Sequence, residues 1–354
     1  MLKFLLTHRG IYLSFRLEGN RVIVKPPYAN SLTLFIHILL NQTAMKKLLM
    51  LALLSLVISA CQYEEEDYFG PESPEETTPE DGGQSNLEGE EGSLTLYRVN
   101  ANTIEKIKDY PVGARLRPYQ QDQGRHFEIW DFVTRLLPLG SRNRIAEFEV
   151  FHGDGELLGY VAPLNDGDLS KWRFALAIDA ANRLDIIELQ SLFTFVAIHE
   201  YGHILSLNES QLNVATGENS CTHFHPGEGC SAPNSYINRL FLLGWADIYD
   251  EVDFDDPEGI YLQYPDRFVS EYAATNPGED IAEVFGYFVT MPNAPLGNRI
   301  ADRKIQLMYE YPELVALREQ IRSSAAEARL PIDNLNMRAA FKRFQIRRPG
   351  GCVH

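Results

Sequence analysis

From residue 94 onward the apolar and polar positions fall into two regimes, short strands first and longer helices afterwards. "LTLYRV" (94–99) reads as a short strand and "RHFEIWDFVTRLL" (125–137) as a helix. "IAEFEVFHGDGELLGYVAPL" (145–164) alternates apolar and polar residues on either side of His-Gly-Asp-Gly, which predicts a β-hairpin. "WRFALAID" (172–179) predicts a further strand, apolar on both faces. Past Asp185 the period changes. "IIELQSLFTFVAIHEYGHILSL" (186–207) is long, mostly apolar and free of turn residues, as expected of a buried helix. A polar loop then runs to about Asn234, a helical stretch covers 236–249, and acidic loop residues reach about Gly259. "GEDIAEVFGYFVT" (278–290) is a helix opened by the Asn-Pro-Gly turn at 276–278, and 303–324 is helical with a break or kink at Pro312. The chain has no internal repeat. Strands followed by helices predict an α+β fold, with a β-rich N-terminal part and a mainly helical C-terminal part.

Upstream of this region the pattern is of another kind. Lys46 and Lys47 precede a largely apolar run from Leu48 to Ile58, and Ser59 and Ala60 lead into Cys61. Eleven residues are too few to span a bilayer, so residues 45–61 read as a secretory signal rather than a membrane anchor. The "ISAC" ending resembles the lipobox of bacterial lipoproteins, which implies lipidation of Cys61 as the first mature residue and attachment to the outer membrane, on its periplasmic or outer face. A signal peptide has no room for residues 1–44, which are expected to be upstream sequence translated in error.

Residues 62–93 carry twelve acids, no Lys or Arg, and repeated Pro and Gly. Such a segment cannot bury enough apolar surface to offset its ordering entropy, so it reads as a disordered tether. An acidic run behind a lipidated cysteine also resembles the surface-export signal of Bacteroidetes-type lipoproteins; a plain solvated spacer is the alternative. The remainder, 94–354, is expected to be one folded domain.

Charge narrows the partners. The whole chain is at −17, but residues 1–60 hold seven Lys/Arg against one Glu, leaving 25 basic and 48 acidic groups in residues 61–354, or −23. A surface that acidic repels nucleic acid and anionic membrane, so neither is an expected partner beyond the lipid anchor. The protein is expected to be a monomer. Outside the cytosol, Cys221 and Cys230 can close a disulfide, leaving Cys352 unpaired. The same loop, "CTHFHPGEGC", holds His223 and His225, and two Cys with two His could instead bind a structural zinc; free thiols are the third option.

The stretch "VAIHEYGHIL" (196–205) carries the chemistry. On a helix, His199 and His203 lie one turn apart on one face and can reach one ion, while Glu200 is turned about 100° away, suited to hold a water. The plain alternative is a core helix with locally satisfied polar groups, which would bury three ionisable groups for no evident gain. A catalytic zinc needs a third protein ligand and an open fourth position. Glu209 stands six residues after His203, where metzincins place a ligand, but that pattern asks for Gly and His where this chain has Ser206 and Glu209. Glu279 and Glu283, four apart at the start of the 278–290 helix, are the better pair. One can bind metal while the other accepts a ring N–H from a ligating histidine. Acids in a first turn are also favoured by the helix dipole alone.

"HEYGH" together with "SEYAATNPGEDIAEVF" resembles the gluzincin branch of zinc metallopeptidases typified by anthrax lethal factor. In that family a tyrosine lies seven residues before the glutamate ligand and a second glutamate four after it; Tyr272, Glu279 and Glu283 match, and Asn276 and Ala282 fit as well. The lipobox, HExGH and this tail together also look like the zinc-binding metallopeptidase lipoproteins of Bacteroidetes. The resemblance covers residues 196–207 and 270–288 and does not account for residues 204–278 between the motifs. It implies a zincin-like domain with one Zn2+, ligated by His199, His203 and Glu279. Glu200 would then be the general base, Tyr272 the oxyanion donor and Glu283 the partner of a ligating histidine. The expected function is a lipid-anchored zinc endopeptidase acting on peptides or proteins. The alternatives are an inactive surface lipoprotein that holds a peptide or glycan on the same scaffold, and a domain in which zinc is purely structural.

Overall fold

The structure is a computed structural model that describes residues 92–182 and 187–332, with the backbone of three N-terminal strands. The chain divides into two compact units, residues 1–84 and 85–354. In the first, β1 (Lys3–His8), β2 (Ile11–Glu18) and β3 (Arg21–Lys25) form an antiparallel sheet in that order. The expectation about residues 1–44 concerns translation rather than folding, and these strands do not bear on it. The signal segment, Cys61, the acidic segment up to residue 91, and Cys352 lie outside the described residues. No helix among the described residues is long and apolar enough to cross a membrane.

The second unit is α+β. Its sheet has the order β5-β4-β6-β8-β7, built from β4 (Ser93–Asn100), β5 (Thr103–Asp109), β6 (Ile145–Phe151), β7 (Gly159–Asn165) and β8 (Asp168–Ala177). Ser93, read as the last linker residue, already belongs to β4 and is buried. The predicted 145–164 hairpin does not form. Both strands exist, but β8 lies between them, parallel to β6 and antiparallel to β7. Burial decides the order. Trp172 to Ala177 are buried at every position and need neighbours on both sides, whereas β7 is mostly half-buried and carries Pro163, both suited to an edge. The turn signal itself is genuine: Gly153 and Gly155 each donate a backbone N–H at 2.8 Å to the carboxylate of Asp179, across a crossing loop rather than a hairpin. Strand β5 had no readable pattern, since only Ile104 in it is buried and backbone pairing with β4 holds it.

Helices α1 (Arg117–Gln121), α2 (Gln123–Leu136) and α3 (Ile178–Ala181) precede the long helix α4 (Ile187–Leu207). Phe148, Val150, Phe174 and Leu176 of the sheet share one core with Phe193, Phe195, Val196 and Ile198 of α4. After it come α5 (Tyr236–Gly244), α6 (Pro257–Gln263), α7 (Pro277–Thr290), α8 (Ile300–Met308) and α9 (Pro312–Glu327). The helix expected over 236–249 stops at Gly244, where any Cβ would lie 2.1 Å from the Lys304 stem, and turns follow. Pro312 begins α9 at a first-turn position, where its missing N–H costs nothing.

Helix α7 is held at both ends and from beneath. The Asn276 side chain accepts the backbone N–H of Glu279 at 2.9 Å, an N-cap. Arg318 and Arg322 of α9 donate to carbonyls between Phe288 and Pro292, where the helix dipole is negative. Below it, Asp280 meets Lys304 at 2.5 Å with both side chains fully buried, and the Trp245 indole donates to the same carboxylate oxygen at 2.7 Å. Helices α4 and α7 touch where side chains are smallest. A Cβ on Gly202 would lie 3.2 Å from the Ala282 Cα, and one on Gly286 would lie 2.6 Å from the Phe195 ring.

Substituting Gly286→Val inserts volume against a fully buried ring, and the expected loss is about 1–3 kcal/mol of stability. It would be read as a lowered denaturant midpoint at unchanged slope; a midpoint equal to wild type would contradict the close packing.

Candidate metal centre

Helix α4 lies buried over the turns that carry the histidines, because its apolar residues cover nearly the whole circumference. His199 is 5% exposed and Glu200 8%. The rings of His199 and His203 stand 4.9 Å apart between centroids, one turn from each other. The first turn of α7 brings Glu279 opposite them. His199 Nε2 is 3.1 Å from Glu279 Oε2, His203 Nε2 is 3.2 Å from His199 Nε2, and His203 Nε2 is 3.4 Å from Glu279 Oε2.

That triangle has the dimensions of one face of a tetrahedral zinc site. With metal–ligand bonds of about 2.0–2.1 Å, neighbouring ligands of a tetrahedron lie about 3.3 Å apart. The donor set, two imidazoles and one carboxylate, is the kind that binds zinc with a fourth position left open. Among the described residues, His199, His203 and Glu279 are the group with metal-ligand spacing.

The surroundings orient the donors. His199 Nδ1 is 3.1 Å from Glu283 Oε1, and Glu283 is fully buried. With a metal bound, Nδ1 would donate to Glu283 and leave the Nε2 lone pair for the ion beside Glu279 and His203. Burial opposes charge on His199, but Glu279 and Glu283 outweigh it and hold the imidazole well above its ordinary pKa. Burial alone would push Glu279 up; the two imidazoles hold it well below the usual carboxylate range. For Glu200 burial prevails over the pull of the histidines, and its pKa is raised.

Two other elements approach the histidines and Glu200. The turn Tyr272–Ala274 precedes α7 and sets the Tyr272 ring 5.7 Å from that of His199. Strand β7 packs against Glu200: a Cβ on Gly159 would lie 3.0 Å from the Glu200 Cγ. Gly159 was invisible as a site residue in the sequence, since a lone glycine beside a strand carries no chemical signal. Ser270 was also missed. Its hydroxyl donates to Glu283 Oε2 at 2.5 Å.

Glu209 lies away from the ligands, paired with Arg144 through both oxygens at 2.9 and 3.2 Å. Cys221 and Cys230 form a disulfide, which leaves no thiolate to bind a zinc with His223 and His225. The bridge ties the loop to the short ribbon of β9 (Leu212–Asn213) and β10 (Cys230–Ser231).

No protein-family model and no curated protein sequence matches this chain. Among solved structures, a candidate zinc-binding metallo-peptidase from Bacteroides caccae aligns with 60% of this chain and 81% of its own, at 18% identity and a TM-score of 0.32. A likeness that slight carries no argument about chemistry, which rests on the donor geometry.

Glu279→Ala is expected to abolish stoichiometric zinc binding, measured as metal content after dialysis against buffered zinc. Glu209→Ala, which removes only the contact to Arg144, should leave it unchanged. The reverse pattern would remove Glu279 from the centre.

Proposed function

We propose that the protein is a zinc-dependent peptidase with a zincin-like catalytic domain of the gluzincin type, anchored by lipid at Cys61. The observation that carries this reading is the donor triangle of His199, His203 and Glu279 with a buried carboxylate, Glu200, beside it. Bound there, Zn2+ would lower the pKa of a water in its open position to about 7 and polarise a substrate carbonyl. Glu200 follows His199 in the helix, so its carboxylate stands beside that position without joining the ligands. From there it can take a proton from the attacking water and return it to the leaving amine. Tyr272, whose ring lies 5.7 Å from that of His199, would donate a hydrogen bond to the developing oxyanion.

Strand β7 supports a peptide as substrate. Among the described residues it is the outermost strand of the sheet. An extended peptide can add to such an edge by main-chain hydrogen bonds. Gly159 packs the face of β7 against Glu200, so a peptide added alongside β7 would run near the base. Lipidation at Cys61 would tether this domain at the cell envelope through the acidic segment that follows.

Glu200→Gln keeps shape and metal but removes the base, and cleavage of a mixed peptide library should fall by about a hundredfold or more. Tyr272→Phe should lose roughly 3 kcal/mol of transition-state stabilisation, with zinc content unchanged. Full activity in Glu200→Gln would rule out the mechanism. For the anchor, Cys61→Ser should shift the protein out of the membrane fraction or leave it unprocessed; a correctly cleaved, membrane-bound variant would refute lipidation.

A further inference from the structure

Ser270 is 7% exposed and its hydroxyl is engaged on both sides. It donates to Glu283 Oε2 at 2.5 Å and accepts the backbone N–H of Ala273 at 3.0 Å. The first bond leads to the metal centre, since Glu283 spends its other oxygen on His199 Nδ1 at 3.1 Å. The second leads to the turn Tyr272–Ala274, whose tyrosine ring faces His199. We propose that Ser270 is a positioning residue that couples the two: through Glu283 it fixes the ring orientation of His199, and through Ala273 it fixes the turn that presents Tyr272.

The argument is one of satisfied valence. A fully buried carboxylate has two oxygens to satisfy, and here each has one donor, Ser270 on one and His199 on the other. Removing the hydroxyl leaves Glu283 Oε2 buried without a donor, at a desolvation cost that the carboxylate relieves by rotating. Rotation moves Oε1 away from Nδ1 and frees the imidazole to turn its Nε2 from the ligand triangle. The same removal strips the N–H of Ala273 of its acceptor and loosens the turn that holds Tyr272. A serine is fitted to this task because a hydroxyl both donates and accepts from one atom; an alanine does neither.

The proposal rests on the zinc-peptidase reading, and zinc affinity can be read apart from cleavage. The test uses the full chain and zinc alone as probe. In a chelator competition, Ser270→Ala should weaken zinc binding by about ten- to a hundredfold, the range for groups that orient a ligating histidine. Ser270→Thr, which keeps the hydroxyl, should recover most of it. Ser270→Ala and Glu283→Gln should be non-additive in a double-mutant cycle, because they break the same chain of bonds. Zinc affinity within twofold of wild type in Ser270→Ala, or additive losses, would overturn the proposal. So would equal drops in melting temperature for the zinc-free and zinc-loaded forms, which would mark a purely structural serine. A wild type that binds zinc but cleaves no peptide would sink the peptidase reading and leave the coupling tested. A wild type that binds no zinc would sink both.

Discussion

The close approach of α4 to α7 is the constraint from which the rest of the architecture follows. Two helices whose metal-facing residues are separated by about 80 positions must come near enough for two imidazole nitrogens and a carboxylate oxygen to meet within 3.1–3.4 Å. Packed helix axes usually lie 8–10 Å apart, toward the shorter end where the contact residues are small. Gly202, Ala282 and Gly286 make this contact small, and Phe195 fills the space that Gly286 leaves. Larger residues would separate the helices and open the ligand triangle. Ala282 is the surface against which Gly202 rests.

Bringing ionisable groups together inside a protein has a cost, and the structure offsets it with paired hydrogen bonds. The carboxylate of Glu283 is matched on both oxygens. Asp280, next to Glu279, is neutralised by Lys304 and bonded by Trp245, both at Oδ2, while its buried Oδ1 has no hydrogen-bond partner among the described residues. On the sheet, Glu149 is fully buried and takes bonds from Ser93, Tyr110 and Arg173. Burial pushes Asp280 up and Lys304 down, so each depends on the other to stay charged. Removing one partner of such a pair is far more damaging than never having had it. These contacts hold α7 in place from below, while Asn276, Arg318 and Arg322 hold its ends.

The position of β7 links the fold to the proposed chemistry. Because β8 takes the inner place beside β6, β7 is displaced to the outer position, and it is this strand that packs against Glu200. The hairpin expected from the alternation at 145–164 would have paired β7 with β6 instead. Alternation reports which face of a strand is buried, but not which strand it pairs with. The apolar run of β8 was legible, and in it lay the reason for the displacement: a strand buried on both faces belongs in the interior of a sheet.

By itself, the sequence determined most of the local elements and the candidate ligands. Helical period set His199 beside His203 and turned Glu200 away from them, and the four-residue spacing of Glu279 and Glu283 set both on one face of α7. The Asn-Pro-Gly turn marked where that helix starts, and the order of strands and helices announced an α+β fold. These are short-range consequences of backbone geometry, so they can be read along the chain. Only the tertiary structure decided that Glu279 rather than Glu209 faces the histidines, that Cys221 bonds Cys230, and that Gly159 and Ser270 touch Glu200 and Glu283. Those outcomes depend on which surfaces meet after the chain has folded back on itself. A glycine or a serine takes its role from the neighbour it meets, and that neighbour is set by packing rather than by spacing.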